Sequence, residues 1–202
     1  MNIYENDLPS GLKFKDSVAV DTESMGLVIR RDRLCLVQLC SADGEVHIVQ
    51  IKKGCRDKSE NLKNLLTDKS ILKIFHYARF DVSMLNYTFG IQVNPIYCTK
   101  IASKLSRTFT DKHSLKNLCK DLLDVEISKH EQTSDWGREE LSTEQLKYAA
   151  GDVLYLHKLK SKLDEILLRE NRTRIVEKCF DALNTISELE LLGINPEELF
   201  QH

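Results

Sequence analysis

Apolar residues in the first quarter of the chain run or alternate over strand-like lengths at 18–22, 34–40 and 45–51, with Asp43-Gly44 as a hairpin turn between the second and third. Three strands are therefore expected to lead the fold. A helical segment near 60–67 precedes a short apolar stretch, Ile71 to Phe75, that reads as a buried strand, and helices are expected over 79–89, 99–106 and 113–123. From 142 to 169 the apolar residues Leu146, Ala149, Ala150, Val153, Leu154, Leu156, Leu159 and Leu163 form one helical stripe that Ser142 and Glu144 open, which predicts the longest helix of the chain. Residues 172–192 carry a further amphipathic pattern through Ile175, Val176, Phe180, Leu183, Ile186 and Leu189. Between these helices, the polar stretch Ser128 to Gly137 holds the only tryptophan and reads as a functional loop. Leading strands, a later strand and interspersed helices predict an α/β fold, a mixed sheet flanked by helices. One domain is expected over 1–170, followed by a helical extension over 171–202 that packs on the core or on a neighbouring subunit.

Composition narrows the class. At 202 residues, 42% apolar and 30% charged, the chain has room for one domain with a substantial core, and its 3 prolines and 8 glycines are too scattered to mark a linker or a repeat. Six cysteines without a CxxC pair, several of them inside apolar runs, point to reduced buried thiols and away from a disulfide framework or a zinc site. Met1 to Ser10 lacks a basic segment followed by an apolar one, and no run approaches the ~18 apolar residues of a membrane span. A cytoplasmic protein without a membrane partner is the expectation. The net charge of −2, from 29 basic and 31 acidic residues, advertises no broad basic surface. Because phosphate neutralisation dominates affinity for long duplexes, this balance favours short nucleic acids over long ones.

Candidate chemistry lies in the carboxylates. Asp21 and Glu23 end the Val18-Ala19-Val20 run, and the period of two puts both on one face, where they repel each other unless a cation lies between them. Asp81 follows the 71–75 strand at an expected helix start, and Tyr148 and Asp152 are four apart on one helix face beside Ala149, Ala150 and Gly151. Each motif alone has a plain structural explanation: a solvated strand end, a helix-start acid, a stripe tyrosine beside a surface aspartate. Together they make an oxygen-rich set suited to Mg²⁺ or Mn²⁺, and two such ions about 3.5–4 Å apart are a known device for in-line phosphoryl displacement.

Val18-Ala19-Val20-Asp21-Thr22-Glu23-Ser24-Met25-Gly26-Leu27, then His76-Tyr77-Ala78-Arg79-Phe80-Asp81, then Tyr148-Ala149-Ala150-Gly151-Asp152-Val153 resembles, in order and spacing, the three motifs of the DEDD exonuclease superfamily in its tyrosine subclass. The resemblance covers about 15–165 and implies a ribonuclease H-like fold. Ser114 to Leu118, Lys129 to Trp136 and Leu141 to Leu146 resemble ribonuclease D in particular. Arg30 to Leu39, Phe75-His76 with Arg79-Phe80-Asp81, and Cys98 to Leu105 are similar to its short relatives, the nanoRNase C group. Classical ribonuclease D carries further helical RNA-binding domains. This chain stops at His202, which shifts the expected substrate from tRNA towards short oligonucleotides.

What the resemblance implies is a metal-dependent 3′→5′ exoribonuclease that releases nucleoside 5′-monophosphates from very short single-stranded RNA, dinucleotides above all, with DNA as a second candidate substrate. It also implies a homo-oligomer, an octameric ring. Asp21, Glu23, Asp81 and Asp152 would hold two divalent cations, Mg²⁺ or Mn²⁺, and Tyr148 would orient the attacking water. Substrate contacts would come from Thr22, from Leu27 as a wedge between bases, and from His76, Arg79, Lys129, Gln132, Ser134 and Trp136. Competing roles are a plain loop leucine for Leu27, capping or packing for His76 and Arg79, and a loop anchor for Trp136. Arg30, Arg31 and Arg33 offer a solvated face, an intersubunit contact or substrate steering. The alternatives to a short-RNA enzyme are a broader exonuclease on structured RNA or DNA and a catalytically silent nucleic-acid-binding scaffold; loss of an acid or of the tyrosine would favour the scaffold, and none is lost.

Overall fold

The computed structural model describes residues 1–127, 133–199 and 201 of the chain. A strand that the apolar pattern does not announce, β1 (Asn2–Glu5), comes first. Only two of its four residues are apolar, and it forms because the edge of β4 (Val46–Gln50) offers it a parallel ladder. The predicted strands are β2 (Ser17–Ser24) and β3 (Leu34–Ser41), antiparallel to each other, with β3 antiparallel to β4 in turn. Seven of the eight β3 residues are buried, the signature of a strand covered on both faces.

After α1 (Glu60–Thr67), β5 (Leu72–Phe75) pairs parallel with β2, α2 (Ala78–Phe89) follows, and β6 (Ile96–Cys98) pairs parallel with β5. At three residues, β6 is too short for its periodicity to be read. Among the described residues the sheet has the order β1-β4-β3-β2-β5-β6, so β2 stands near its centre. α3 (Thr99–Ser106) and α4 (Leu115–Leu123) then lead to the long stripe.

That stripe is two helices, not one: α5 (Thr143–Leu154) and α6 (Leu156–Arg169), separated at Tyr155. α5 lies on β2, β3 and β4, whereas α6 packs against α3 and α4. The break re-aims the chain between these two surfaces, and a stripe of constant period carries no record of that change in direction. Ser142 caps α5 with a full capping box, its hydroxyl accepting from the Gln145 N–H while the Gln145 side chain accepts from the Ser142 N–H.

The extension begins with α7 (Thr173–Leu191), which lies along α2 and buries Val176, Phe180 and Leu183, with the Phe180 ring 4.7 Å from that of Tyr97 on β6. Its polar residues are paired as well, Asn86 of α2 donating to Asn184 Oδ1 and Ser187 Oγ at 3.2 Å each. A short α8 (Pro196–Leu199) follows. No helix among the described residues is long and apolar enough to cross a membrane, and all six cysteines are free.

Because Phe180 is packed into the same core as β6, Phe180→Ala is expected to destabilise the whole chain by about 3–5 kcal/mol, in one urea transition. A separate early transition that leaves the main midpoint in place would show the extension to unfold by itself.

Candidate active site

Asp21 and Glu23 stand two apart on β2, opposite Gln38 and Leu36 of β3, and share the face on which α5 lies. Asp152 approaches from α5. One carboxylate oxygen from each of Asp21, Glu23 and Asp152 falls within 4.8 Å of the others, and all three residues are half-buried. The close approach of α5 rests on the buried Ala149; a Cβ added at Gly151 would meet nothing within 4 Å, so that glycine is not needed for it.

Asp81 comes from the first turn of α2 and is buried. The β2–β5 ladder ends at Ala19–Ile74, so the N–H of Thr22 has no strand partner on that side. Asp81 Oδ1 takes its place, accepting from the Thr22 N–H at 3.1 Å and from its hydroxyl at 2.6 Å. Thr22 therefore secures the fourth acid to the strand that carries the first two.

The cost of this convergence appears in the protonation equilibria. Burial, followed by Asp81, Asp152 and Glu23, holds the Asp21 carboxyl well above the ordinary range. Burial with Asp152 and Asp81 pushes Glu23 up to about 9. Burial raises Asp81 to about 7 even though both bonds from Thr22 favour its ionised form. Burial and the neighbouring acids, Asp152 foremost, also raise the Tyr148 phenol, which hydrogen-bonds Asp152 and stays protonated at neutral pH. Acids this close ionise together only around a cation, and a set made of carboxylate oxygens fits a hard divalent ion.

The remaining predicted residues divide into those that face outward and those already engaged. Leu27 is 82% exposed at the tip of the loop after β2. That loop is built, not slack: Asp32 accepts from the Val28 N–H at 3.0 Å and pairs with Arg31, and a Cβ at Gly26 would lie 2.3 Å from Asp32 Oδ2. His76 Nδ1 lies 2.9 Å from the Thr99 hydroxyl. The Arg79 guanidinium is held by two acids of the extension, Glu190 at 2.5 Å and Glu197 at 3.0 Å. Ser134 accepts from Gln145 Nε2 at 2.8 Å, and Trp136 is buried with its ring 5.9 Å from that of Tyr148, so both tie the 133–137 loop to α5. Lys129 and Gln132 lie outside the described residues. Of the basic cluster, Arg33 donates to the Ile51 and Gly137 carbonyls, Arg31 pairs with Asp32, and Arg30 is exposed.

One residue escapes sequence reasoning altogether. Gln38, directly opposite Asp21, is fully buried, and neither end of its amide has a partner among the described residues. Leaving such a group unpaired costs about 1–3 kcal/mol. The only signal in the sequence is a glutamine inside the apolar run Leu34 to Cys40.

A family profile described as 3′–5′ exonuclease matches residues 4–168. Ribonuclease D of Gluconacetobacter diazotrophicus is 34% identical over 190 residues, which cover 94% of this chain and 47% of that protein. The chain thus spans about half the length of that curated relative or less of others, as with the 39% covered in ribonuclease D of Bartonella henselae. Among solved structures, Brucella melitensis NrnC bound to pGG is 51% identical with a TM-score of 0.95, over 100% of this chain and 98% of that one. The same protein with bound Mg²⁺ gives 50% and 0.94 over the same shares.

The raised carboxyls set a pH dependence. In the cation-free protein the native state keeps protons that the unfolded chain has released, so stability is fully present below the unfolded values of 3.8 and 4.5 and is lost as pH climbs through about 7 for Asp81 and about 9 for Glu23. A bound divalent ion stabilises the ionised acids and offsets that loss. Mn²⁺ is therefore expected to raise the thermal midpoint more at pH 8 than at pH 6; an equal shift at both values would show that these acids do not hold the ion.

Proposed function

The chain belongs to the 3′–5′ exonuclease family, and on that premise we propose that it hydrolyses very short single-stranded RNA from the 3′ end, dinucleotides by preference, releasing nucleoside 5′-monophosphates. The observation that carries the reading is the convergence of Asp21, Glu23 and Asp152 within 4.8 Å, with Asp81 fastened beside them through Thr22. Preference for short substrates is supported by the full-length similarity to NrnC bound to pGG, a ligand of dinucleotide type.

Asp21, Glu23, Asp81 and Asp152 would hold the divalent cations, Mg²⁺ or Mn²⁺ and two in number, which when bound supply Lewis-acid stabilisation of the phosphate and lower the pKa of water. Tyr148, bonded to Asp152 and with its phenol raised by burial and the neighbouring acids, would orient the attacking water by hydrogen bonding. Leu27 offers an exposed apolar side chain on the fixed loop that follows β2, suited to wedge against the terminal bases. Thr22 is bonded to Asp81, and His76, whose Nδ1 lies 2.9 Å from the Thr99 hydroxyl, would contact sugar or phosphate. Arg79 and Ser134 serve the substrate through the elements they hold, since their polar groups are engaged within the protein, and Trp136 does so through its ring, packed beside that of Tyr148. Lys129 and Gln132 complete the proposed substrate contacts. Exposed Phe109, Leu168 and Leu192 support self-association, for which a ring of eight is the arrangement we propose.

At equal concentration with Mn²⁺, a 5′-phosphorylated RNA dinucleotide is expected to turn over at least about tenfold faster than a longer RNA or DNA oligomer. Comparable rates on all of them would refute the length preference while leaving the exonuclease reading in place. Asp21→Ala or Asp152→Asn is expected to lower kcat by at least about a thousandfold with the fold retained, since groups that act as a unit fail as a unit. Residual turnover within tenfold of the unmodified protein would remove these acids from the catalytic centre.

A further inference from the structure

The amide of Gln38 is fully buried, without a partner among the described residues, and placed opposite an acid of the proposed cation site. Cross-strand partners share a face and have Cβ atoms about 4.5–5.5 Å apart, so the amide lies within a side-chain length of the Asp21 carboxylate. Around it on that face the β2–β3 and β3–β4 registers put Ala19, Leu36, Cys40, Val46, Ile48 and Gln50, whose amide donates to the Arg138 and Glu139 carbonyls. Asp21, with Glu23 on the diagonal, is thus the acceptor within its reach on β2.

A carboxylate that binds a cation through one lone pair keeps others, and the group that donates to them sets its orientation. Arginine or lysine in that place would cancel part of the negative charge on which the cation depends. A glutamine amide donates without adding charge, which explains why a residue so costly to bury stands in an otherwise apolar run. We propose that Gln38 is a positioning residue of the acidic site, its Nε2 donating to the Asp21 carboxylate when a divalent cation is bound. The inference rests on the reading of the four acids as a cation site.

Gln38→Met, close in size and shape but without a donor, separates this role from simple packing. Two quantities are measured on the full chain: the thermal midpoint without cation, and Mn²⁺ affinity by calorimetry. The expected result is an unchanged or higher midpoint, because two unpaired polar atoms leave the core, together with Mn²⁺ binding weakened by about 10–100-fold. Should the methionine variant fail to fold, Gln38→Leu carries the same comparison. Unaltered Mn²⁺ affinity in a folded variant overturns the proposal, as does a loss of affinity that only follows a lower midpoint. If the unmodified protein itself binds no Mn²⁺, the cation reading of the four acids falls and takes this inference with it, a result distinct from failure at Gln38 alone.

Discussion

Four carboxylates drawn into one partly buried place repel one another, and the scaffold has to hold them there against that repulsion. Each comes from a segment that cannot yield independently. Asp21 and Glu23 are on β2, which has β3 on one side and β5 on the other. Asp152 rides on α5, pinned by a capping box at its start and by Ala149 against the sheet. Asp81 sits on α2 and is fastened to β2 by two hydrogen bonds from Thr22. Packing elsewhere, with a core that runs through nearly every element, supplies the stability that this crowding consumes.

The layout of the sheet makes the arrangement possible. β5 stops pairing with β2 at Ala19, so the last residues of β2 project past it and the Thr22 N–H is left open for an acid from the next helix. Had β5 run further, its own carbonyls would occupy that N–H and Asp81 would have no attachment there. The break at Tyr155 works on the other flank: α5 can lie flat on β2, β3 and β4 only because the chain turns before α6 meets α3 and α4. The helix that carries Asp152 is thus laid along the sheet.

Outside the acids, several charged and polar residues hold loops and helices in place. Arg79 is bridged to Glu190 and Glu197, Arg33 clasps the carbonyls of Ile51 and Gly137, and Gln145 gathers Ser134 and the Asp135 carbonyl. The extension takes part in this: through Glu190 it grips Arg79 and Ser83, two residues to either side of Asp81.

Much was legible along the chain because it is local. The strand period places Asp21 and Glu23 on one face, the helix period does the same for Tyr148 and Asp152, and the apolar runs mark β2, β3, β4, β5 and most helices. Residue type with spacing also determined the oxygen-rich chemistry of the site. Everything that depends on a distant partner was decided only in three dimensions. β1 exists because β4 has an open edge, and one apolar stripe becomes two helices because its halves meet different surfaces. Arg79 and Ser134 are engaged because Glu190 and Gln145 arrive beside them, and Gln38 is placed opposite Asp21 by the β2–β3 register. Periodicity reports which way a side chain points from its own backbone; which group waits there is set by ladders and helix contacts between residues far apart in the chain.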